Sequence, residues 1–132
     1  MHDTSNFKRS EFICKCGCGQ EDISQETVKK LQKARDILGK PIYVKSGCRC
    51  AAHNAAVDGK PGSSHIVGQG RQSYAADVSL VQFGIMHSAQ RYDLVMALLQ
   101  AGFERFGIAE SYIHVDDDPI KGYGIWTYQK GD

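Results

Sequence analysis

Three short segments, Ser64-His65, Ala75-Ala76-Asp77 and Ile113-His114-Val115-Asp116, restrict how this chain can fold more than anything else in it. Two histidines and a carboxylate suit zinc, which binds imidazole nitrogen and carboxylate oxygen with tetrahedral geometry. Four protein ligands close a structural zinc site, whereas three leave the open position found in catalytic sites. If His65, Asp77 and His114 act together as ligands, the fold must bring three distant parts of the chain to one point. Each also has a plainer use. His65 follows two serines in a glycine-containing stretch, as a surface-loop histidine does. His114 lies in an apolar run, where a packed core imidazole is common. Asp77 could pair with an arginine, because a charge buried there alone would be costly.

The hydropathy pattern supplies elements to carry these residues. Asp22 or Ser24 can cap a helix over about 25–38, with Val28, Leu31, Ala34 and Leu38 on one face and Gly39 and Pro41 as the stop. Ile42-Tyr43-Val44 reads as a short strand. The alanine-rich stretch from Cys50 to Val57 predicts a helix ended by Asp58-Gly59 and Pro61. Tyr74 to Leu80 reads as a strand. Ser88 can cap a helix to about Ala101, with Tyr92, Val95, Leu98 and Leu99 as its apolar face and Gly102 as its stop. Phe106-Gly107-Ile108 and Tyr112-Ile113-His114-Val115 read as paired strands. The connections are too short for a regular βαβ succession. The expected class is therefore α+β: a small antiparallel sheet flanked by helices, with the metal site on the sheet.

At 132 residues the chain is expected to be one domain, long enough to bury about two-thirds of its unfolded surface. Its net charge is +1, which gives no reason to expect a nucleic-acid or membrane-surface partner. No apolar run approaches the ~20 residues of a membrane span.

The surroundings of the three segments read Val44-Lys45-Ser46-Gly47-Cys48-Arg49-Cys50-Ala51-Ala52-His53-Asn54, then Gly62-Ser63-Ser64-His65-Ile66-Val67-Gly68, then Ala75-Ala76-Asp77-Val78. Over about residues 7–118 this resembles the zinc D-Ala-D-Ala carboxypeptidase and L-alanyl-D-glutamate endopeptidase family, which shares its fold with the hedgehog signalling domain. Members carry Ser-Gly-x-Arg, Ser-x-His-x-x-Gly-x-Ala-x-Asp and a later Ile-His-Val-Asp. The resemblance implies Zn2+ on His65, Asp77 and His114, and substrate contacts from Arg49 and Ser64, with Arg49 binding a carboxylate and contributing little to the fold. His53 and Asn54 match a framework pair. The family separates its His and Asp by six residues, whereas eleven separate His65 from Asp77, so an insertion within residues 69–74 must loop out.

The implied reaction is amide hydrolysis of peptidoglycan stem peptides, by a D,D-carboxypeptidase or an endopeptidase. It needs a carboxylate to move a proton. Asp116 and Glu110 are the candidates, since strand alternation puts both on the side of His114 if the strand reaches Glu110. Asp116 could instead orient a ligating imidazole. The family's usual acidic position, three before the last histidine, is Ser111 here. A non-catalytic zinc-bearing binding module, or a virion structural domain keeping the fold, is the alternative. The polar start of the chain lacks an apolar leader. The expectation is cytoplasmic synthesis with phage-type delivery to the cell wall, or a chain already trimmed of its signal.

Five cysteines, Cys14, Cys16, Cys18, Cys48 and Cys50, are the second unusual feature. The odd count excludes a fully paired intramolecular set. They could hold a second, structural metal or clip the N-terminal segment to the Cys48–Cys50 region. They could equally be reduced, partly buried thiols.

Overall fold

The computed structural model describes residues 2–83 and 88–128. Its first helix, α1 (Gln25–Leu38), starts where Ser24 accepts a hydrogen bond from the Thr27 N–H and ends where Gly39 turns left-handed at φ +72°, a conformation open to glycine. Thr27, Val28, Leu31 and Ala34 form its buried stripe. Helix α2 (Ala51–Ala56) is short, and α3 (Ser88–Gln100) packs against α1. The buried residues of α3 are Leu94, Ala97 and Leu98, whereas Tyr92 and Leu99 are largely exposed. The apolar face read from the sequence is thus rotated. Two apolar stripes compete on this helix, and contact with α1 selects the one through Leu94 and Leu98.

Five strands, β1 (Val44–Ser46), β2 (Ala75–Ser79), β3 (Arg105–Ile108), β4 (Tyr112–Asp116) and β5 (Gly124–Thr127), form one sheet in the order β1-β2-β4-β3-β5. The first four pair antiparallel, while β5 runs parallel to β3. The sheet is therefore mostly antiparallel, as expected, with β5 as a parallel edge strand. β5 was not anticipated, because Gly124-Ile125-Trp126-Thr127 is short and bounded by glycine. Strand β1 begins two residues later than expected: Ile42 packs into the core ahead of the paired stretch, and the register shifts between Val44 and Ser46.

Alternation along β2 and β4 gives the sheet two unlike faces. Ala76, Val78, Ile113 and Val115 join the core with Val28, Leu31, Ala34, Leu94, Ala97 and Leu98 from the helices. The opposite face carries Asp77, His114 and Asp116. Register sets Asp77 directly across from His114, at the spacing where cross-strand side chains meet.

Candidate metal centre

Asp77 and His114 meet by strand pairing; His65 reaches them from the loop after α2. That loop is fastened to the residue expected to bind substrate. Arg49 N–H donates to the His65 carbonyl at 2.8 Å, and Val67 N–H donates to the Arg49 carbonyl at 2.8 Å. The extra residues between His65 and Asp77 are absorbed by a tight reversal. Gln69 (φ +54°) and Gly70 (φ +79°) take the two left-handed positions of a primed turn, and Gly68 pairs with Arg71. The chain then returns through buried Ser73, whose backbone bonds to Asp22 and Ser24, and enters β2. The longer spacing leaves the geometry intact.

Three atoms converge. His65 Nε2 lies 3.1 Å from Asp77 Oδ1, His114 Nδ1 lies 3.0 Å from the same oxygen, and the two nitrogens are 3.2 Å apart. All three residues are buried. The outer nitrogen of each ring is already bound: His65 Nδ1 to the Gly47 carbonyl at 2.6 Å, and His114 Nε2 to Asp116 Oδ2 at 2.7 Å. A ring nitrogen facing a carbonyl carries the proton, and its ring partner then presents a lone pair. Two lone pairs and a carboxylate oxygen therefore point at one another, an arrangement that calls for a cation between them. Zinc bonds of about 2.0–2.1 Å in a tetrahedron set ligand atoms about 3.4 Å apart, close to the observed separations. The donor set and its spacing fit zinc.

Without a metal, the same cluster draws protons to this point. Burial opposes ionisation of Asp77, but the charge and hydrogen bonds of His65 and His114 outweigh it and hold the carboxyl far below its ordinary range. Burial also disfavours a charged His114, yet hydrogen bonds to Asp116 and Asp77 prevail and raise its pKa. Asp116 is lowered in turn, since His114 and Arg105 overcome its desolvation.

The other anticipated residues are placed as follows. Arg49 gives Nη2 to Asp77 Oδ2 at 3.1 Å, Nε to Ser46 at 3.3 Å and Nη1 to Asn54 at 3.5 Å. It orients the ligand carboxylate: the arginine partner that the sequence left open for Asp77 is Arg49, which had been expected to contribute little to the fold. Ser64 is buried, and its hydroxyl donates to Asp118 Oδ2 at 2.9 Å and accepts from Lys121 at 2.8 Å. Ser64 therefore ties the His65 loop to the turn after β4. Asp116 backs the outer nitrogen of His114 and also accepts from Arg105 Nε at 2.8 Å. This is the orienting position, on the far side of the ring from the converging atoms. Glu110 lies in the exposed bend before β4, so strand alternation does not reach it. Asn54 is buried and also donates to the Lys60 carbonyl at 3.0 Å, in the framework role expected of it.

Sequence reasoning missed the C-terminal contribution. Trp126 lies 5.6 Å from the His114 ring centroid to centroid, with the Arg105 guanidinium 4.9 Å from its indole. Both Trp126 and Tyr128 crowd over Gly107, where an added Cβ would meet Trp126 Nε1 at 2.6 Å and the Tyr128 hydroxyl at 2.7 Å. Gly107 pairs with His114 in the register, so its missing side chain makes room for these aromatics beside the site. The signal was present in Gly107 and in the Gly-Ile-Trp-Thr run, but it is readable only once the pairing of β5 with β3 is known.

An α+β domain with a mostly antiparallel sheet and a buried two-histidine, one-carboxylate cluster is the hedgehog-like class of zinc peptidase fold. Residues 5–116 match the family model described as Peptidase M15, and the chain belongs to that family of zinc-dependent metallopeptidases. A comparison with curated proteins gave no match.

Proposed function

We propose that this protein hydrolyses amide bonds in peptidoglycan stem peptides, as a carboxypeptidase or endopeptidase of phage-lysis or virion type. The observation that supports this reading best is the convergence of His65 Nε2, Asp77 Oδ1 and His114 Nδ1 with both outer ring nitrogens already bound. Zinc held by these three residues would supply Lewis acidity towards a scissile carbonyl and activate water near neutral pH. The chain's own residues hold that donor set still. Arg49 fixes Asp77 from behind, Asp116 and Gly47 fix the two rings, and Trp126 covers one side of His114. The bonds described for Arg49 use three of its five N–H groups, and the side chain keeps 17% exposure, so a substrate carboxylate has donors to reach. Tyr128 stands beside Gly107 as a further hydroxyl donor for a carbonyl oxygen of the substrate.

One observation favours a second reading, a zinc-bearing module that binds cell-wall peptide or serves a virion without cleaving. Of the two candidate proton acceptors, Asp116 is committed to His114 and Arg105, and Glu110 is exposed in a bend. Incubation of the zinc-loaded protein with purified cell wall, followed by mass spectrometry of released products, separates these readings. Free D-alanine identifies a carboxypeptidase and internal stem-peptide cuts an endopeptidase, each abolished by His114→Ala. Intact stem peptides with zinc bound would leave the binding module.

A further inference from the structure

Four of the five thiols are gathered at one place, in a cluster distinct from that of His65, Asp77 and His114. The Sγ atoms of Cys14, Cys16, Cys18 and Cys50 all lie within 4.8 Å of one another, with Cys14 to Cys16 at 3.5 Å and Cys16 to Cys50 at 3.6 Å. In an extended strand, alternate residues stand about 7 Å apart, so a Cys-x-Cys-x-Cys run does not gather its thiols by default. Here it does, because Gly17 (φ +87°) and Gly19 (φ +84°) curl the segment. Open space surrounds both glycines where a Cβ would stand, so their role is backbone conformation. The curl is closed by Cys14 N–H on the Gln20 carbonyl at 2.8 Å and Gly17 N–H on the Cys14 carbonyl at 3.4 Å.

We propose that Cys14, Cys16, Cys18 and Cys50 form a tetrathiolate site for one structural zinc ion, separate from the His65–Asp77–His114 cluster. A tetrahedron with Zn–S bonds of about 2.3 Å has edges of about 3.8 Å, which the observed sulfur spacings approach. Backbone N–H groups already serve two of the sulfurs: Cys50 N–H points at Cys14 Sγ and His53 N–H at Cys50 Sγ, each at 3.4 Å. Such donors stabilise thiolate over thiol. Cys48 is buried apart in the core and takes no part.

This site would staple the N-terminal segment onto the stretch that builds the histidine cluster. Phe12, two residues before the first ligand, accepts from Cys48 N–H at 2.9 Å and abuts Gly47, whose carbonyl holds His65. Cys50 follows Arg49, which holds Asp77. All four cysteines are free thiols, and the 3.5 Å between Cys14 and Cys16 Sγ is well beyond the ~2.05 Å of a disulfide bond.

The test uses the full chain produced with zinc under mild reduction, assayed for metal content, with cobalt substitution as a spectroscopic probe. Wild type should hold a second equivalent of zinc beyond the one held by the histidine cluster. His114→Ala should lose one equivalent and keep the thiolate-to-cobalt charge-transfer absorption. The double variant Cys16→Ser/Cys18→Ser, at two exposed positions, should lose the other equivalent together with that absorption, while Cys48→Ala changes neither. Thiol titration of the native wild type gives an answer that needs no variant: the four thiols should react slowly with zinc present and quickly once it is chelated. A single equivalent in wild type that vanishes with His114→Ala would overturn the site. So would a disulfide among the four thiols by mass, or thiol reactivity indifferent to chelation.

Discussion

Asp116 shows how much a single side chain decides at this site. One oxygen accepts from His114 Nε2 and the other from Arg105, so it sets which ring nitrogen faces Asp77. Removing such an outer partner typically costs 10–100-fold in metal affinity, so Asp116→Asn should weaken zinc binding by about that factor. Competition with a chelating dye measures it. Zinc affinity unchanged while hydrolysis falls by two to four orders of magnitude would instead make Asp116 the proton acceptor. Glu110→Gln, in the exposed bend, should change neither quantity. Gly47 acts through its backbone. A Cβ there would stand 2.9 Å from Phe12 Cα, a contact that real Cβ atoms do not make, so Gly47→Ala must move the peptide whose carbonyl holds His65. A lower melting temperature together with weaker zinc binding is expected. A lower melting temperature alone would show that the carbonyl stays in place.

At the scale of elements, α3 offers a direct test of the face that packing selects. Leu98 is fully buried in the core, whereas Leu99 is 48% exposed. Leu98→Ala should therefore cost about 2–5 kcal/mol, and Leu99→Ala should stay within about 0.5 kcal/mol by denaturant unfolding. Equal losses would restore the face expected from the hydropathy pattern. That pattern held for α1, because Ser24 and Gly39 mark its ends and one stripe is plainly apolar. On α3 it failed because two stripes are nearly alike and only the neighbouring helix distinguishes them. β4 was legible as an alternating run, and its register against β2 explains why Asp77 and His114 meet. β5 was not legible: four residues beside a glycine carry little period, and parallel pairing to a strand nineteen positions earlier is a long-range event. With β5 went Trp126 and Tyr128. The reversal at Gln69-Gly70 is a similar case. The sequence demanded a loop between residues 69 and 74; Gly68 and Arg71 close its two-residue turn locally, but the path back to β2 through Ser73 and Tyr74 depends on Asp22, Ser24 and Ser64, which the sequence does not pair with them.

For the whole molecule, the histidine cluster couples folding to pH with a sign that depends on the metal. In the metal-free protein, His114 has a raised pKa because Asp116 and Asp77 outweigh its burial, while both carboxyls are lowered. A raised histidine contributes stability fully below its unfolded value, about 6.5, and loses it as pH climbs through the folded value. The carboxylates contribute above about 4 and lose their share as pH falls through their folded values. Metal-free stability from this cluster is thus greatest between about pH 4 and 6.5 and declines on the alkaline side. Zinc reverses the slope. The proton that His114 gains goes to Nδ1, the nitrogen facing Asp77, and it competes with the ion for that lone pair. Binding to the native state adds stability as RT ln(1 + [L]/Kd), and this increment grows as the proton leaves. The gap in melting temperature between zinc-saturated and chelated protein should therefore widen steadily from pH 6 to pH 8. Melts in the Cys16→Ser/Cys18→Ser background confine the response to the histidine cluster, and taking the gap cancels every group that titrates alike in both forms. His114→Ala should flatten it. A gap independent of pH in the background variant would mean that zinc and proton do not share His114 Nδ1, and the ligand assignment would have to be drawn again.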